Sequence, residues 1–310
     1  MKCISKISLS IFFIAGLCQS AHAVTVDIYQ HMESGNPGDL LTSEIMDSSS
    51  HGGIDTDGTW ELTGSMWVSA NNVRQLPGSV TVNGTDYNIS STRTWMVRDK
   101  YALNNALILF GSLPRSGAYL PYHDRITIAC YYTPGQDQAF WNQHDMIIYS
   151  CDLSFGVMQC IGDYINSDGK PRIRAHSATD GWVTTFSPTI TVESNKTYWV
   201  NLHHDGPAGV CKVAVFDPDN GYAQVDSTVT ARSVVGSRVR SMLTVGRGDN
   251  HGDNNSWGHE TYSYFSHLLI DYTNAVFPLL PDSSGSGIPT QINLQPKHPK
   301  LFYRTTTINY

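Results

Sequence analysis

Residues 197–221 read TYWVNLHHDGPAGVCKVAVFDPDNG. Two adjacent histidines and a crowd of aspartates give the stretch the look of a catalytic or metal site, yet its periodicity says otherwise. In an extended chain side chains alternate, so Tyr198, Val200 and Leu202 share one face while Trp199, Asn201 and His203 share the other. Asp205-Gly206-Pro207 interrupts the run with turn formers, 211–216 (CKVAVF) starts a second strand, and Asp217-Pro218-Asp219-Asn220-Gly221 ends it. The stretch is therefore a hairpin with a tight loop beyond it. His203 and His204 point to opposite faces and cannot share one zinc ion. A sharper reading takes Asp217, Asp219 and Asn220 as closely spaced oxygen donors for calcium. A calcium loop of the EF-hand kind is longer and closes on a Glu. Here Pro218 intervenes and no such Glu follows, so turn chemistry is the plainer account.

The same pattern recurs along the chain. Short apolar or alternating runs occupy 24–30 (VTVDIYQ), 79–82 (SVTV), 106–110 (ALILF), 125–132 (RITIACYY), 145–151 (DMIIYSC), 155–161 and 264–272 (YFSHLLIDY). Asn83-Gly84, Pro134-Gly135, Asp168-Gly169 and Asn220-Gly221 punctuate them. No long 3.6-residue period occurs; residues 39–46 (DLLTSEIM) read as one or two helical turns at most. The expectation is all-β: a two-sheet antiparallel jelly-roll sandwich spanning residues 24–281.

Both ends differ from this body. Lys2 and Lys6, the apolar run 7–17 and Ala21-His22-Ala23 form a secretory signal peptide over residues 1–23. Its removal takes the formal charge from -7 to -9. An acidic exported chain argues against nucleic acid and against anionic membranes, which select basic patches. No later run is long and apolar enough for a membrane helix. Residues 281–290 (PDSSGSGIPT) form a linker, so that 282–310 reads as linker and C-terminal tail. Cys130, Cys151, Cys160 and Cys211 remain after cleavage. In an oxidising compartment they allow two disulfides in three pairings, with buried free thiols as the alternative.

Three segments carry a family likeness. The first strand runs into Met32-Glu33-Ser34-Gly35-Asn36-Pro37-Gly38-Asp39. The middle has Thr197-Tyr198-Trp199-Val200, Asp205-Gly206 and the strand end Ala214-Val215-Phe216-Asp217-Pro218. Near the end comes His267-Leu268-Leu269-Ile270-Asp271-Tyr272-Thr273-Asn274-Ala275, then Phe277-Pro278. Together they resemble the concanavalin A-like lectin/glucanase superfamily, and within it the laminin G-like domains of exported bacterial proteins. The resemblance implies two curved sheets stacked as a jelly roll, with the first and last strands as neighbours. The fold hosts lectins, glucanases, lyases and adhesion modules, so it assigns no function by itself.

Glucanases of this superfamily carry E-x-D-x-x-E on one strand, which places acids on one face at the separation glycoside hydrolysis needs. Glu33, Glu44, Glu61, Glu193 and Glu260 all stand outside such a pattern, and no G-x-S-x-G elbow occurs. These absences favour a non-catalytic binding module for polysaccharide or glycoconjugate. A divergent hydrolase or lyase and a purely structural or adhesive module are the alternatives. A groove lined with paired carboxylates or a Tyr/His/Arg cluster would favour the enzyme, a groove of Trp, Tyr and Asn without acids would favour binding, and a filled or flat concave face would favour the structural module. For sugar, the polar loop 246–259 (GRGDNHGDNNSWGH) offers Trp257 as a platform, with Asp249, Asn250, Asp253, Asn254 and Asn255 as hydrogen-bonding groups. Trp141, beside Asn142 and Gln143, is a second aromatic candidate.

Overall fold

The computed structural model describes residues 23–42, 50–51, 61–63, 66–88, 90–99, 106–109, 125–134, 143–152, 155–163, 170–178, 184–205, 207–231, 241–246 and 261–281. The protein is an all-β sandwich: the described residues form strands, turns and one short 3-10 helix.

The chain opens with β1 (Val24–Val26) and β2 (Ile28–Gln30), one apolar run split at Asp27. Short strands follow: β3 (Ser50–His51), β4 (Glu61–Thr63), β5 (Met66–Ser69), β6 (Val80–Val82), β7 (Thr85–Tyr87), β8 (Thr94–Asp99) and β9 (Ala106–Leu109). Longer ones come next: β10 (Arg125–Thr133), β11 (Gln143–Asp152) and β12 (Phe155–Asp163). Then come β13 (Arg172–Ile173), β14 (Ala175–Ala178), β15 (Thr184–Phe186) and β16 (Ile190–Thr191). The hairpin is β17 (Tyr198–Asp205) and β18 (Val210–Asp217), followed by β19 (Ala223–Ala231), β20 (Ser241–Gly246) and β21 (Thr261–Asp271).

The main sheet runs β19-β18-β17-β10-β21-β2-β3, with β8 also paired to β21 and β5 to β8. A second sheet runs β15-β14-β12-β11-β20-β9-β4, and β14 lies against β18 and β19. Two small sheets complete the set, β1-β6-β7 and β13-β16. Pairing is antiparallel except between β1 and β6, where Val24–Val26 runs parallel to Val80–Val82. The expected neighbouring of first and last strands is present: Ile28 faces Ile270 and Gln30 faces Leu268.

Alternation sorts the main sheet into two cores. Ile126, Ile128, Cys130 and Tyr132 of β10 line the inner face with Tyr198, Val200 and Leu202 of β17, Val213 and Val215 of β18, and Phe265, Leu268 and Ile270 of β21. Ile173, Ala175, Ile190 and Val192 pack on them from the opposite side. The outer face carries Tyr29, Ala129, Tyr131, Trp199, Ala214, Phe216 and Leu269, covered by Val24, Val26, Val80, Val82 and Leu279. Both faces of the sheet are thus apolar, which explains why β10 and β17 are buried along most of their length.

Asp27 explains the split of the first run. Its carboxylate accepts hydrogen bonds from the backbone N of Tyr272 at 2.6 Å and of Thr273 at 2.8 Å, and from Thr273 Oγ1 at 2.6 Å. That clamp turns the chain, so that β1 joins the small outer sheet and β2 the main one. The return segment after β21 is fixed over the outer face in the same manner. Trp199 Nε1 donates to Leu279 O at 2.8 Å, and Asn201 Oδ1 accepts from Leu279 N at 2.7 Å.

One expectation is corrected and one open alternative is narrowed. Residues 39–42, the described part of the anticipated helical turns, are extended: Leu40 bridges to Trp67 and Leu41 N donates to Met66 O. The pull of β5 outweighs local helix propensity there. Of the two readings left open for the cysteines, the described ones follow the buried-thiol reading. Cys130 and Cys211 are buried and neither is in a disulfide, while each of the three two-bridge pairings would need both. In the β11–β12 hairpin, Cys160 faces Ile147 while Cys151 faces Gly156. That register sets Cys151 and Cys160 about 13 Å apart along the strands, beyond the reach of a disulfide.

Candidate functional site

The hairpin read from sequence is present with the predicted faces. Trp199 pairs with Phe216, Leu202 with Val213 and Asp205 with Val210. His204 is buried on the inner face, while His203 lies on the outer one with its Nδ1 2.8 Å from Thr127 Oγ1. Burial pushes the His203 imidazole down to about 4, so it is neutral at ordinary pH. The two rings are separated by the sheet itself.

The aspartate loop beyond β18 is a capped turn. Pro218–Asn220 forms the 3-10 helix, Asp217 Oδ1 accepts from Asp219 N at 3.0 Å, and Gly221 sits at φ 57, the left-handed region that suits glycine. The remaining carboxylate oxygens meet cations. Arg74 donates to Asp219 twice, at 2.5 and 2.9 Å, and Lys196 Nζ donates to Asp217 Oδ2 at 2.9 Å. Hydrogen bonding to Arg74 holds the Asp219 carboxyl below its usual range. Asn220 is exposed. A calcium ion on Asp217, Asp219 and Asn220 would first have to displace Arg74 and Lys196. Among the described residues, no group of three or more His, Cys, Asp or Glu side chains is placed to hold a metal ion.

Lys196 opens onto a groove of about 560 Å3 at the rim of the sandwich, and this is the candidate site. The approach to β13 brings Lys170 and Pro171; β16 and the turn after it bring Thr191, Val192, Glu193 and Ser194; β17, β18 and β19 bring Tyr198, Asp217 and Val225. The turn is firmly tied. Glu193 N donates to the Tyr198 hydroxyl at 2.9 Å, Val192 N to Pro171 O at 3.1 Å, and Asn195 N to Pro134 O at 2.8 Å. Lys196 Nζ is 5.5 Å from the centre of the Tyr198 ring and 3.9 Å from Glu193 Oε1. Its hydrogen bond to Asp217 raises the ammonium further above its ordinary range, so it stays charged. The groove therefore offers fixed donors, carboxylate acceptors and an exposed apolar wall at Val225.

A second constellation was not read from the sequence. Tyr29 and His31 leave the outer face of the main sheet beside His51 from β3, His267 from β21 and Tyr87 from β7. His267 stands at a bulge, with φ 51, where the register against β10 slips between Ala129 and Tyr131. Its Nε2 lies 2.9 Å from Arg74 O, a carbonyl that can only accept, so Nε2 carries the proton. Nδ1 is then bare and accepts from the Tyr29 hydroxyl at 2.7 Å. Burial pushes His267 down to about 4 and the Tyr29 phenol up. Tyr29 and His267 are wholly buried, so this Tyr/His pair is a strut under the outer sheet and not an exposed catalytic dyad. Only the alternate positions Tyr29 and His31 were visible in sequence; their partners come from strands remote along the chain.

Trp257, Asp249, Asn250, Asp253, Asn254, Asn255 and Trp141 lie outside the described residues.

No protein-family model and no curated protein matches the chain. Among solved structures, the chain is similar to an endo-beta-1,4-glucuronan lyase from the fungus Trichoderma reesei, at 10% identity and TM-score 0.41, over 82% of this chain and 98% of that one. It is similar to the cellulose induced protein Cip1, at 13% identity and TM-score 0.38, over 71% of this chain and 94% of that one. It is also similar to the botulinum neurotoxin serotype D binding domain, at 11% identity and TM-score 0.40, over 82% of this chain and 48% of that one. Scores at this level carry no functional assignment.

Proposed function

We propose that the chain is an exported, non-catalytic β-sandwich module that binds carbohydrate or a related polar surface ligand, with the rim groove as its described site. The observation that carries this reading is the arrangement around Lys196: an ammonium held between the Asp217 and Glu193 carboxylates, beside Tyr198 and the exposed Val225. Hydroxyl-rich ligands need fixed donors and acceptors close to a small apolar wall. Glycoside hydrolysis needs something else, two carboxyls flanking a scissile bond. Here Lys196 fills the space between the carboxylates, and the Glu193 side chain stands 78% open to solvent.

The test is a glycan-array screen of the exported chain, run with calcium and again with chelator, alongside Lys196→Ala and Trp257→Ala. The expected result is binding to a defined glycan class, weakened tenfold or more by one of the two substitutions. Absence of binding in both conditions would overturn the reading. Loss of binding with chelator would instead place calcium in recognition and return attention to Asp217, Asp219 and Asn220.

A further inference from the structure

His31 and His51 converge. Their Nε2 atoms lie 3.0 Å apart, their rings are 5.0 Å between centres and 12° from parallel. His31 is buried, and its Nδ1 has no hydrogen-bond partner; Glu33 Oε1 stands 3.8 Å from it. His51 is half-buried and gives access from solvent, with its ring held against Tyr87 at 4.0 Å between centres. The two Nε2 atoms share a hydrogen bond, so one ring carries its proton there; with that ring in the tautomer protonated on Nδ1, the bond opens and its Nε2 becomes a bare donor atom. With both rings protonated on Nδ1, both ε-nitrogens are available as ligands. Each ring keeps its single proton in that change, so no proton is released.

We propose that His31 and His51 form a two-nitrogen site for a divalent copper-class ion, with water in the remaining positions. Two nitrogens 3.0 Å apart subtend roughly 90–97° at an ion bonded to both at about 2.0–2.1 Å. That is the angle of neighbouring ligands in a square-planar or tetragonal complex, the geometry of Cu2+ and Ni2+ with nitrogen and oxygen donors. Copper also heads the divalent affinity order for such donors. Burial favours the neutral form of both rings, the form that ligates. The site is distinct from the rim groove, which none of these residues lines.

The experiment is titration of the tag-free exported chain with Cu2+ at pH 7.5, followed by calorimetry and electron paramagnetic resonance, with a parallel Zn2+ titration. The expected result is one equivalent bound with hyperfine structure from two imidazole nitrogens, at least tenfold tighter for Cu2+ than for Zn2+. His51→Gln, at a strand edge, should lower copper affinity tenfold or more and remove that two-nitrogen signal. His31→Gln should do the same, with circular dichroism confirming the fold. An unchanged spectrum in His51→Gln, no saturable copper binding, or tighter zinc than copper binding would overturn the proposal.

Discussion

At the scale of single residues, the buried polar atoms do most to define the outer face. The Tyr29 hydroxyl is the only donor placed on His267 Nδ1 among the described hydrogen bonds. Tyr29→Phe keeps the ring in its stack and removes only that donor, leaving a buried nitrogen unsatisfied. The expected loss is about 1–3 kcal/mol in urea unfolding; a change below about 0.5 kcal/mol would mean that water replaces the hydroxyl. Asp271 is a second case. Its two carboxylate oxygens accept from Asn274 N and Val276 N, both at 2.9 Å, in a wholly buried position. Neither pattern is written in local sequence. An aspartate at the end of β21 reads as a turn former, and the turn it makes is visible only once the return segment is seen to double back over Trp199 and Asn201.

Elements show which local signals decide the fold and which do not. The β17–β18 hairpin was legible because its alternation is strict and its ends carry Gly, Pro and Asp. The split between β1 and β2 was not. VTVDIYQ alternates without a break, and only the three hydrogen bonds to Asp27 from Tyr272 and Thr273 divide it between two sheets. Asp27→Ala should therefore cost about 2–4 kcal/mol, more than a typical surface change, because three charged hydrogen bonds to the chain just beyond β21 are lost together. Thermal unfolding of the variant measures it. The candidate groove was illegible for a related reason. Lys170, Glu193, Lys196 and Asp217 look like scattered surface charges, and pairing of β13 with β16 and of β17 with β18 gathers them. Gly221 gives a purely backbone test. A Cβ there would meet nothing within 4 Å, but its φ of 57 is left-handed. Gly221→Ala should lower the urea midpoint by the equivalent of about 1–2 kcal/mol without changing the slope.

For the whole molecule, two properties follow from burial. His203 and His267 are each held near 4 in the folded chain against 6.5 for the free side chain. Above pH 6.5 neither state binds a proton at these sites and stability is full. As pH falls from 6.5 to about 4 the unfolded chain takes up protons that the folded chain refuses, so stability is lost across that window, on the order of 3 kcal/mol per site. Melting at pH 7.5 and 4.5 should show a large drop; equal midpoints would contradict it. The second property concerns thiols. Cys130 and Cys211 are buried and in no disulfide, and burial pushes the Cys130 thiol far up. A thiol reagent should reach these two only when the chain unfolds, and reductant should leave the melting temperature unchanged.

The place of β21 has a consequence for how the protein is made. This strand, at residues 261–271, lies between β10 and β2 and also pairs with β8. A nascent polypeptide that has not yet reached residue 261 has three open strand edges and no way to join them. Such edges invite pairing with other chains, and contacts spanning more than 200 residues form slowly. Completion of the main sheet therefore waits until synthesis has passed its central strand. Until then β2, β8 and β10 wait for the strand that joins them.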